Sequence, residues 1–239
     1  MHRALLLIGM GTALVSAACR PKPVDGLSRA AAENDIAGIR RLLAAGHPPD
    51  EPASPDVTPL MWAARFGALD AMTALLDAGA DLSARGGANR WTPLQHAIHT
   101  GRTAAVRLLL DRGADPNAAE HPGALTPLLM GVLEPDPAIV ELLLAHGADP
   151  RLEGECGDTP LTRAVSGGAL ADIDKPLAGS CRVEIVRALL AHDPTLRLPE
   201  TFTGRAAIWW ARLHRCDEVL ELVNGQRTQS TQWSQSESP

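Results

Sequence analysis

Histidine and cysteine are the side chains of this chain that most often bind metal ions or act as nucleophiles, and the chain has eight and four of them. His96 and His99 are three residues apart, a spacing at which two side chains of one helix can share a metal ion. No third ligand follows from the sequence, and neither an HExxH nor a CxxC pattern occurs. We therefore predict no metal site.

Other sequence signatures of catalysis are also missing. The chain has no GxSxG segment, no glycine-rich phosphate loop and no dinucleotide fingerprint, so we expect no enzyme and no cofactor. An unrecognised enzyme would need a nucleophile and a base in one pocket, for which Asp172 and Asp174 are the candidates. The formal net charge of -6 does not suit nucleic-acid binding, which needs a basic surface.

A repeat with a period of about 34 residues organises most of the sequence. Thr-Pro pairs recur at this interval, beginning at Thr58, Thr92, Thr126 and Thr159. Gly-Ala-Asp recurs in step with them, beginning at Gly79, Gly113 and Gly147. Pairs of leucines follow the first three Thr-Pro pairs at a constant distance. Three marks that share one period predict an array of similar structural units.

The residue types within one unit predict two short helices. Thr58 can cap the first helix with its hydroxyl group, and Pro59 suits the first helical position because the N–H that it lacks has no partner there. Gly67 can end this helix in a left-handed conformation. A second helix is predicted from about Leu69 to Ala78, where apolar residues have helical spacing. Since one such pair cannot bury both of its faces, the units must stack.

These marks resemble the signature of the ankyrin-repeat family, which reads Thr-Pro-Leu-His, an alanine pair, Gly, a leucine pair and Gly-Ala-Asp. The resemblance covers a predicted domain at 25–225 and implies an all-α ankyrin-repeat solenoid of about six stacked helix-turn-helix units joined by hairpin loops. A degenerate first unit begins at Asp25. The last unit, at about 205–225, has lost Thr-Pro and Gly-Ala-Asp, which is expected of a capping repeat.

The sequence departs from the family pattern in two ways: one affects four units, and the other affects the unit that begins at Thr159. The histidine that follows Thr-Pro-Leu in the family is replaced throughout, by Met61, Gln95, Leu129 and Thr162. We expect Gln95 alone to be able to mimic the hydrogen bonds that the histidine makes between repeats. The unit that begins at Thr159 has 13 additional residues between its helices, which places an insertion at about 169–181. Such an insertion is a surface loop, either functional or neutral.

The two ends of the chain carry a different kind of signal. Residues 1–18 contain Arg3, an apolar run and small residues before Cys19, which predicts a secretory signal peptide. The segment resembles a bacterial lipobox, except that Ser16 stands where that family prefers Leu. This resemblance implies a lipid on Cys19, a tether at 19–24 and attachment to the outer membrane in the periplasm. The alternative is a plain secreted protein with a free Cys19 thiol. The polar residues 226–239 predict a disordered tail.

Three cysteines remain when Cys19 is set aside, namely Cys156, Cys181 and Cys216. An exported chain meets conditions in which disulfides form. Matched positions of adjacent repeats lie about 10 Å apart, beyond the reach of a disulfide, but a flexible insertion ending at Cys181 can close that gap. We therefore favour a disulfide between Cys181 and Cys216, and the alternative is three free thiols.

The ankyrin resemblance also implies a concave groove that typically binds protein. The variable groove positions give these predicted partner-binding residues: Arg65, Phe66, Arg90, Trp91, His99, Leu125, Leu133 and Glu134. Aromatic and arginine side chains most often carry binding energy at an interface. The alternative is that Phe66 and Trp91 only cover the joints between units.

Together these patterns predict a non-catalytic binding protein that is exported to the periplasm and monomeric when free. Its partner is another protein of unknown identity, and it meets the membrane only through the lipid on Cys19. One such role is an immunity or inhibitor protein that blocks a toxic secreted enzyme. The alternative is an accessory of oxidative-stress defence that supports a catalase or haem delivery.

Overall fold

A computed structural model of the 239-residue chain describes residues 26–52, 56–121, 123–167 and 181–225. The predicted signal peptide, the tether with Cys19 and the tail at 226–239 lie outside the described residues. The predicted insertion does so as well, apart from its last residue, Cys181. All structural statements below refer to the described ranges.

The described residues form twelve short helices and no strand beyond one isolated bridge, which confirms the all-α prediction. The helices follow one another in pairs, in the order α1 (Gly26–Ala32), α2 (Ile36–Ala44), α3 (Pro59–Phe66), α4 (Leu69–Asp77), α5 (Pro93–His99), α6 (Thr103–Asp111), α7 (Pro127–Gly131), α8 (Pro137–Ala145), α9 (Pro160–Val165), α10 (Val183–His192), α11 (Phe202–Leu213) and α12 (217–225). Odd-numbered helices contact the next odd-numbered helix, and from α2 to α10 the even-numbered helices do the same. The fold is thus a stack with two layers of helices.

The first helix of four pairs begins as the sequence predicts. The hydroxyl groups of four threonines accept a hydrogen bond from the backbone N–H three residues later, and proline follows each of them, at Thr58, Thr92, Thr126 and Thr159. Gly67 ends α3 with a φ of 72°, in the left-handed region that glycine adopts without steric cost.

One continuous core of small and aliphatic side chains joins the pairs. Leucines that follow the period of the sequence lie fully buried in the second helix of successive pairs, at Leu75, Leu109 and Leu143. Alanines such as Ala63 and Ala97 are fully buried where neighbouring first helices must approach closely. In the described part of the chain, every helix is too short or too polar to cross a membrane.

Gly86 allows two neighbouring hairpins to touch. Its backbone N–H and carbonyl exchange hydrogen bonds of 3.1 Å with Trp91, which closes the hairpin before α5. A Cβ atom on Gly86 would lie 2.0 Å from the backbone oxygen of Asp56 in the preceding hairpin. No residue other than glycine therefore fits this contact.

A disulfide joins Cys181 and Cys216, whose Cα atoms are 5.4 Å apart. Cys181 lies just before α10, and Cys216 lies just before α12. The bond therefore links the second helices of the last two pairs. Cys156 is free and exposed.

The last pair differs from the capping repeat that the sequence suggested. A capping repeat has a polar outer face, which keeps the end of a stack soluble. Here α11 exposes Phe202, Trp209 and Leu213, with 77%, 58% and 56% of their surfaces accessible. The pair has lost the family signature, and α11 exposes these three apolar side chains beside the charged residues of the pair. The expectation of a cap with a polar outer face needs this correction.

Candidate functional site

A cleft of about 890 Å³ opens among the hairpins that lead into α5, α7, α9 and α11. We call it the hairpin cleft. Most of its lining comes from the segments just before these helices, and the lining residues are Arg85, Asn89, Arg90, Trp91, Gln95, Glu120, His121, Gly123, Ala124, Leu125, Glu153, Gly154, Glu155, Cys156, Gly157, Asp158, Arg163, Thr201, Phe202 and Thr203. The site is therefore assembled from successive units and exists only when they stack.

Hydrogen bonds between neighbouring hairpins hold the walls of the cleft in place. Arg85 donates from Nη2 to the backbone carbonyl of Ala119 over 2.9 Å, a contact that spans one period of the sequence. Thr203 donates from its hydroxyl to the carbonyl of Gly157 over 3.3 Å. These bonds join side chains to backbone across the stack, so the hairpins keep a common orientation.

Three large apolar side chains line the cleft: Trp91 and Leu125 lie in two hairpins, and Phe202 is the first residue of α11. Trp91 is half-buried, and its ring lies 4.8 Å from that of His99 and 5.7 Å from that of His96. Leu125 is half-buried as well, whereas Phe202 is largely exposed. Side chains that are held by neighbours yet open to solvent can bury apolar surface of a partner at small cost in conformational entropy.

The charged side chains of the cleft are mostly paired. Arg90 bonds to Glu120 over 3.1 Å, Arg163 pairs with Asp158, and His121 lies 3.7 Å from Glu155. Glu153 joins Glu155 on the α9 side of the cleft. With two glutamates and only a histidine to offset them, that side is acidic.

Four of the eight predicted partner-binding residues lie in or against the hairpin cleft. Arg90, Trp91 and Leu125 line it, and His99 contacts Trp91 from behind. Arg65 and Phe66 are half-buried outside the cleft, where the ring of Phe66 stacks on Trp62 at a centroid distance of 6.1 Å. The structure thus brings together the hairpin residues of the prediction but not those of α3.

The expectation that Leu133 and Glu134 line an exposed groove is wrong. Only 7% and 5% of their surfaces are accessible. Because α7 ends at Gly131, both residues lie in the turn before α8, where Arg182 donates to their backbone carbonyls. This contact covers them from the following pair.

Sequence reasoning missed Phe202, Glu120 and Glu153 as cleft residues. The two glutamates precede Thr126 and Thr159 by six residues each, so the period itself could have found them. Phe202 follows Thr201, which caps a helix without the Thr-Pro mark, and no sequence signal reveals it.

The ionisable groups near the cleft include one buried histidine, His96. No group of three or more His, Cys, Asp or Glu side chains in the described ranges could hold a metal ion. Burial, aided by the positive charges of Arg65 and His99, lowers the pKa of His96 to about 4. His96 is therefore neutral at pH 7 and packs beneath Trp91 as part of the wall.

Comparison with known proteins identifies part of the stack. Residues 27–120 match a family model described as ankyrin repeats, in three copies. No curated protein matches the chain. The match covers the helices from α1 to α6, and the threonine caps continue beyond it at Thr126 and Thr159.

Proposed function

We propose that this chain, whose residues 27–120 match the ankyrin-repeat family, acts as a non-catalytic module whose protein partner binds in the hairpin cleft. Ankyrin repeats indicate protein binding, and the cleft is the observation that supports this choice of binding surface. Its volume of about 890 Å³ is sufficient to accept several side chains of a partner.

The lining of the cleft suggests the chemistry of the partner. Trp91, Leu125 and Phe202 offer apolar surface, which a protruding apolar side chain of the partner would bury. Glu153 and Glu155 favour a basic residue beside it. The formal net charge of -6 favours the same kind of partner at longer range. We infer that the partner presents an apolar residue flanked by lysine or arginine.

The proposed location is the periplasm, and the specific role is that of an immunity or inhibitor protein against a toxic secreted enzyme. The sequence of residues 1–18 supports export, and the small residues before Cys19 support lipidation. A module that blocks a toxic enzyme needs binding without catalysis, which fits a cleft whose charged groups are paired with one another.

The cleft is tested by capturing periplasmic partners with variants of equal helicity. Trp91→Ala should weaken capture at least tenfold, because it removes the largest side chain that lines the cleft. Phe66→Ala is the matched control, since Phe66 is also a half-buried aromatic residue but lies outside the cleft. Normal capture by Trp91→Ala, or an equal loss with Phe66→Ala, would reject the assignment.

The location is tested separately by cell fractionation and by labelling with a radioactive fatty acid. The wild-type protein should be labelled and should sediment with the outer membrane. Cys19→Ala should lose the label. An unlabelled, soluble wild-type protein would contradict the proposed lipid anchor. It would not contradict the proposed binding in the hairpin cleft.

A further inference from the structure

The last helix pair leaves the contact surface for a further pair exposed. Hydrogen bonds at the ends of the first helices fix the register between pairs: Ala68 N–H bonds to Ala63, Arg102 N–H to Ala97, and Cys216 N–H to Ala211. The residues two positions before these alanines, Met61, Gln95 and Trp209, are therefore equivalent. Met61 and Gln95 are buried, whereas 58% of the Trp209 surface is exposed.

This position faces the next pair along the stack. Gln95 donates from Nε2 to the backbone carbonyl of Leu125 over 2.8 Å, and Leu125 belongs to the following hairpin. Trp209 occupies the same position but has no following pair among the described residues. Trp209 is the largest side chain found at this position, and no further helix pair of the described structure covers it.

The second helix of the last pair shows the same pattern. Leu220 follows Cys216 by four residues, as Met72 follows Ala68 and Val106 follows Arg102. Met72 and Val106 are fully buried, but Leu220 is only partly buried. We call the surface formed by Trp209, Leu213 and Leu220 the terminal face.

The opposite end of the stack is polar and does not match the terminal face. The exposed residues of α1 and α2 include Arg29, Arg40 and Arg41. A head-to-tail arrangement of copies would bury such charges against Trp209, which is costly without a paired charge. The described structure exposes four large hydrophobic side chains, and the fourth, Leu69, is isolated on α4. Among the surfaces of the described residues, only the terminal face of another copy is then apolar enough to pack against the terminal face.

The exposed charges of the last pair suit a contact between the terminal faces of two copies. Arg205 and Arg212 lie on α11, and Asp217 and Glu221 lie on α12. A two-fold axis between the two helices places α11 of one copy over α12 of the other. Basic side chains of each copy then approach acidic side chains of its partner, so the surface is complementary to itself in charge.

We propose that two copies of this chain form a closed two-fold dimer through the terminal face. The partner's stack takes the place that a further pair would occupy, and Trp209, Leu213 and Leu220 become buried in both copies. A two-fold contact uses the same patch on both copies and closes after two, so it does not grow into a filament. This departs from the sequence-based expectation of a monomer, and it does not depend on the hairpin cleft binding a partner.

The test measures molar mass by light scattering after size-exclusion chromatography over a hundredfold range of concentration. The chain is expressed without residues 1–19, which removes none of the described helices and excludes association through a signal peptide or a lipid. The shortened wild-type chain is expected to have twice the molar mass of one chain. Trp209→Glu and Leu213→Glu should each shift it to the chain mass, because a carboxylate in the face must be desolvated on association.

Leu69→Glu is the matched control, since it places the same charge on an exposed leucine away from the face. It should remain dimeric, and circular dichroism should show equal helicity for all variants. A wild-type chain at monomer mass throughout would overturn the proposal. So would a dimer that survives Trp209→Glu and Leu213→Glu together. If the wild-type chain is monomeric and removing residues 226–239 newly exposes an apolar dye-binding surface, the tail covers the face instead.

Discussion

Arg182 donates a hydrogen bond of 2.8 Å from Nη1 to the backbone carbonyl oxygen of Glu134. A second bond of 3.0 Å runs from Nη2 to the carbonyl of Leu133. Arg182 lies directly before α10 and is only 8% exposed. Burial lowers the pKa of its guanidinium group, while the Glu134 carboxylate opposes that shift. One buried side chain thus satisfies two carbonyls at the end of α7 and fastens the fifth pair to the fourth.

Replacing Arg182 should destabilise the stack more than replacing an exposed arginine of the same helix. Arg182→Met keeps the aliphatic stem but leaves two buried carbonyls without their donor, at an expected cost of about 3 kcal/mol. Arg187→Met removes an exposed ion pair with Glu218 and should cost under about 1 kcal/mol. Urea unfolding of both variants measures the difference, and equal stabilities would show that the Arg182 contacts contribute little.

The disulfide between Cys181 and Cys216 should stabilise the last two pairs. It closes a sequence separation of 35 residues, which in the chain-entropy model contributes about 4 kcal/mol. Cys216→Ser should therefore lower the free energy of unfolding by a large part of that amount, whereas Cys156→Ser should leave it unchanged because Cys156 is free and exposed. Alkylation of the denatured, unreduced protein should label Cys156 alone among these three cysteines. Labelling of Cys181 in protein taken from the periplasm would contradict the bond.

The parts of this fold that could be predicted from the sequence are those set by local interactions. The hydroxyl cap of Thr58, the proline after it and the left-handed Gly67 act within one helix, so residue type and spacing were sufficient. The hairpin residues Arg90 and Trp91 of the candidate site were predicted from the ankyrin resemblance. Their place in the period put them at a hairpin.

The errors concern contacts between residues far apart in sequence. Glu134 is buried because Arg182, 48 residues later, reaches back to its carbonyl, and the variable insertion hides that relation in the sequence. Trp209 is exposed because no further pair covers it in the described structure, although its position is buried in earlier units. Neither fact follows from residue type. Phe66 and Thr100, at the position of Glu134 in earlier units, are half-buried, and Met61 and Gln95, at the position of Trp209, are buried.

The two hydrogen bonds of the Gln95 side chain should stabilise the fold, so that an apolar residue of similar size cannot replace it without loss of stability. Its Oε1 accepts from Thr92 N–H over 3.0 Å, which completes a capping box, and its Nε2 donates to Leu125. Gln95→Leu should cost about 2 kcal/mol, because both partners lose a buried hydrogen bond. Gln95→His should recover part of this, since the ankyrin pattern has histidine here. Thermal unfolding of the two variants decides the matter: a histidine variant no more stable than the leucine variant would show that the inter-repeat bond is dispensable.

The buried imidazole of His96 should make stability depend on pH below neutrality. Burial, and then the charges of Arg65 and His99, lower its pKa from 6.5 to about 4 in the folded state. Between these values the unfolded chain binds more protons than the folded one, so stability rises with pH across the window and is lost as the pH falls from 6.5 toward 4. Lowering the pH from 7 to 4.5 should cost about 2 kcal/mol through this group alone. His96→Gln should reduce the difference in unfolding free energy between these two pH values by that amount, with His192→Gln, which removes an exposed histidine, as the control. An unchanged difference in His96→Gln would mean that another group is responsible for the acid sensitivity.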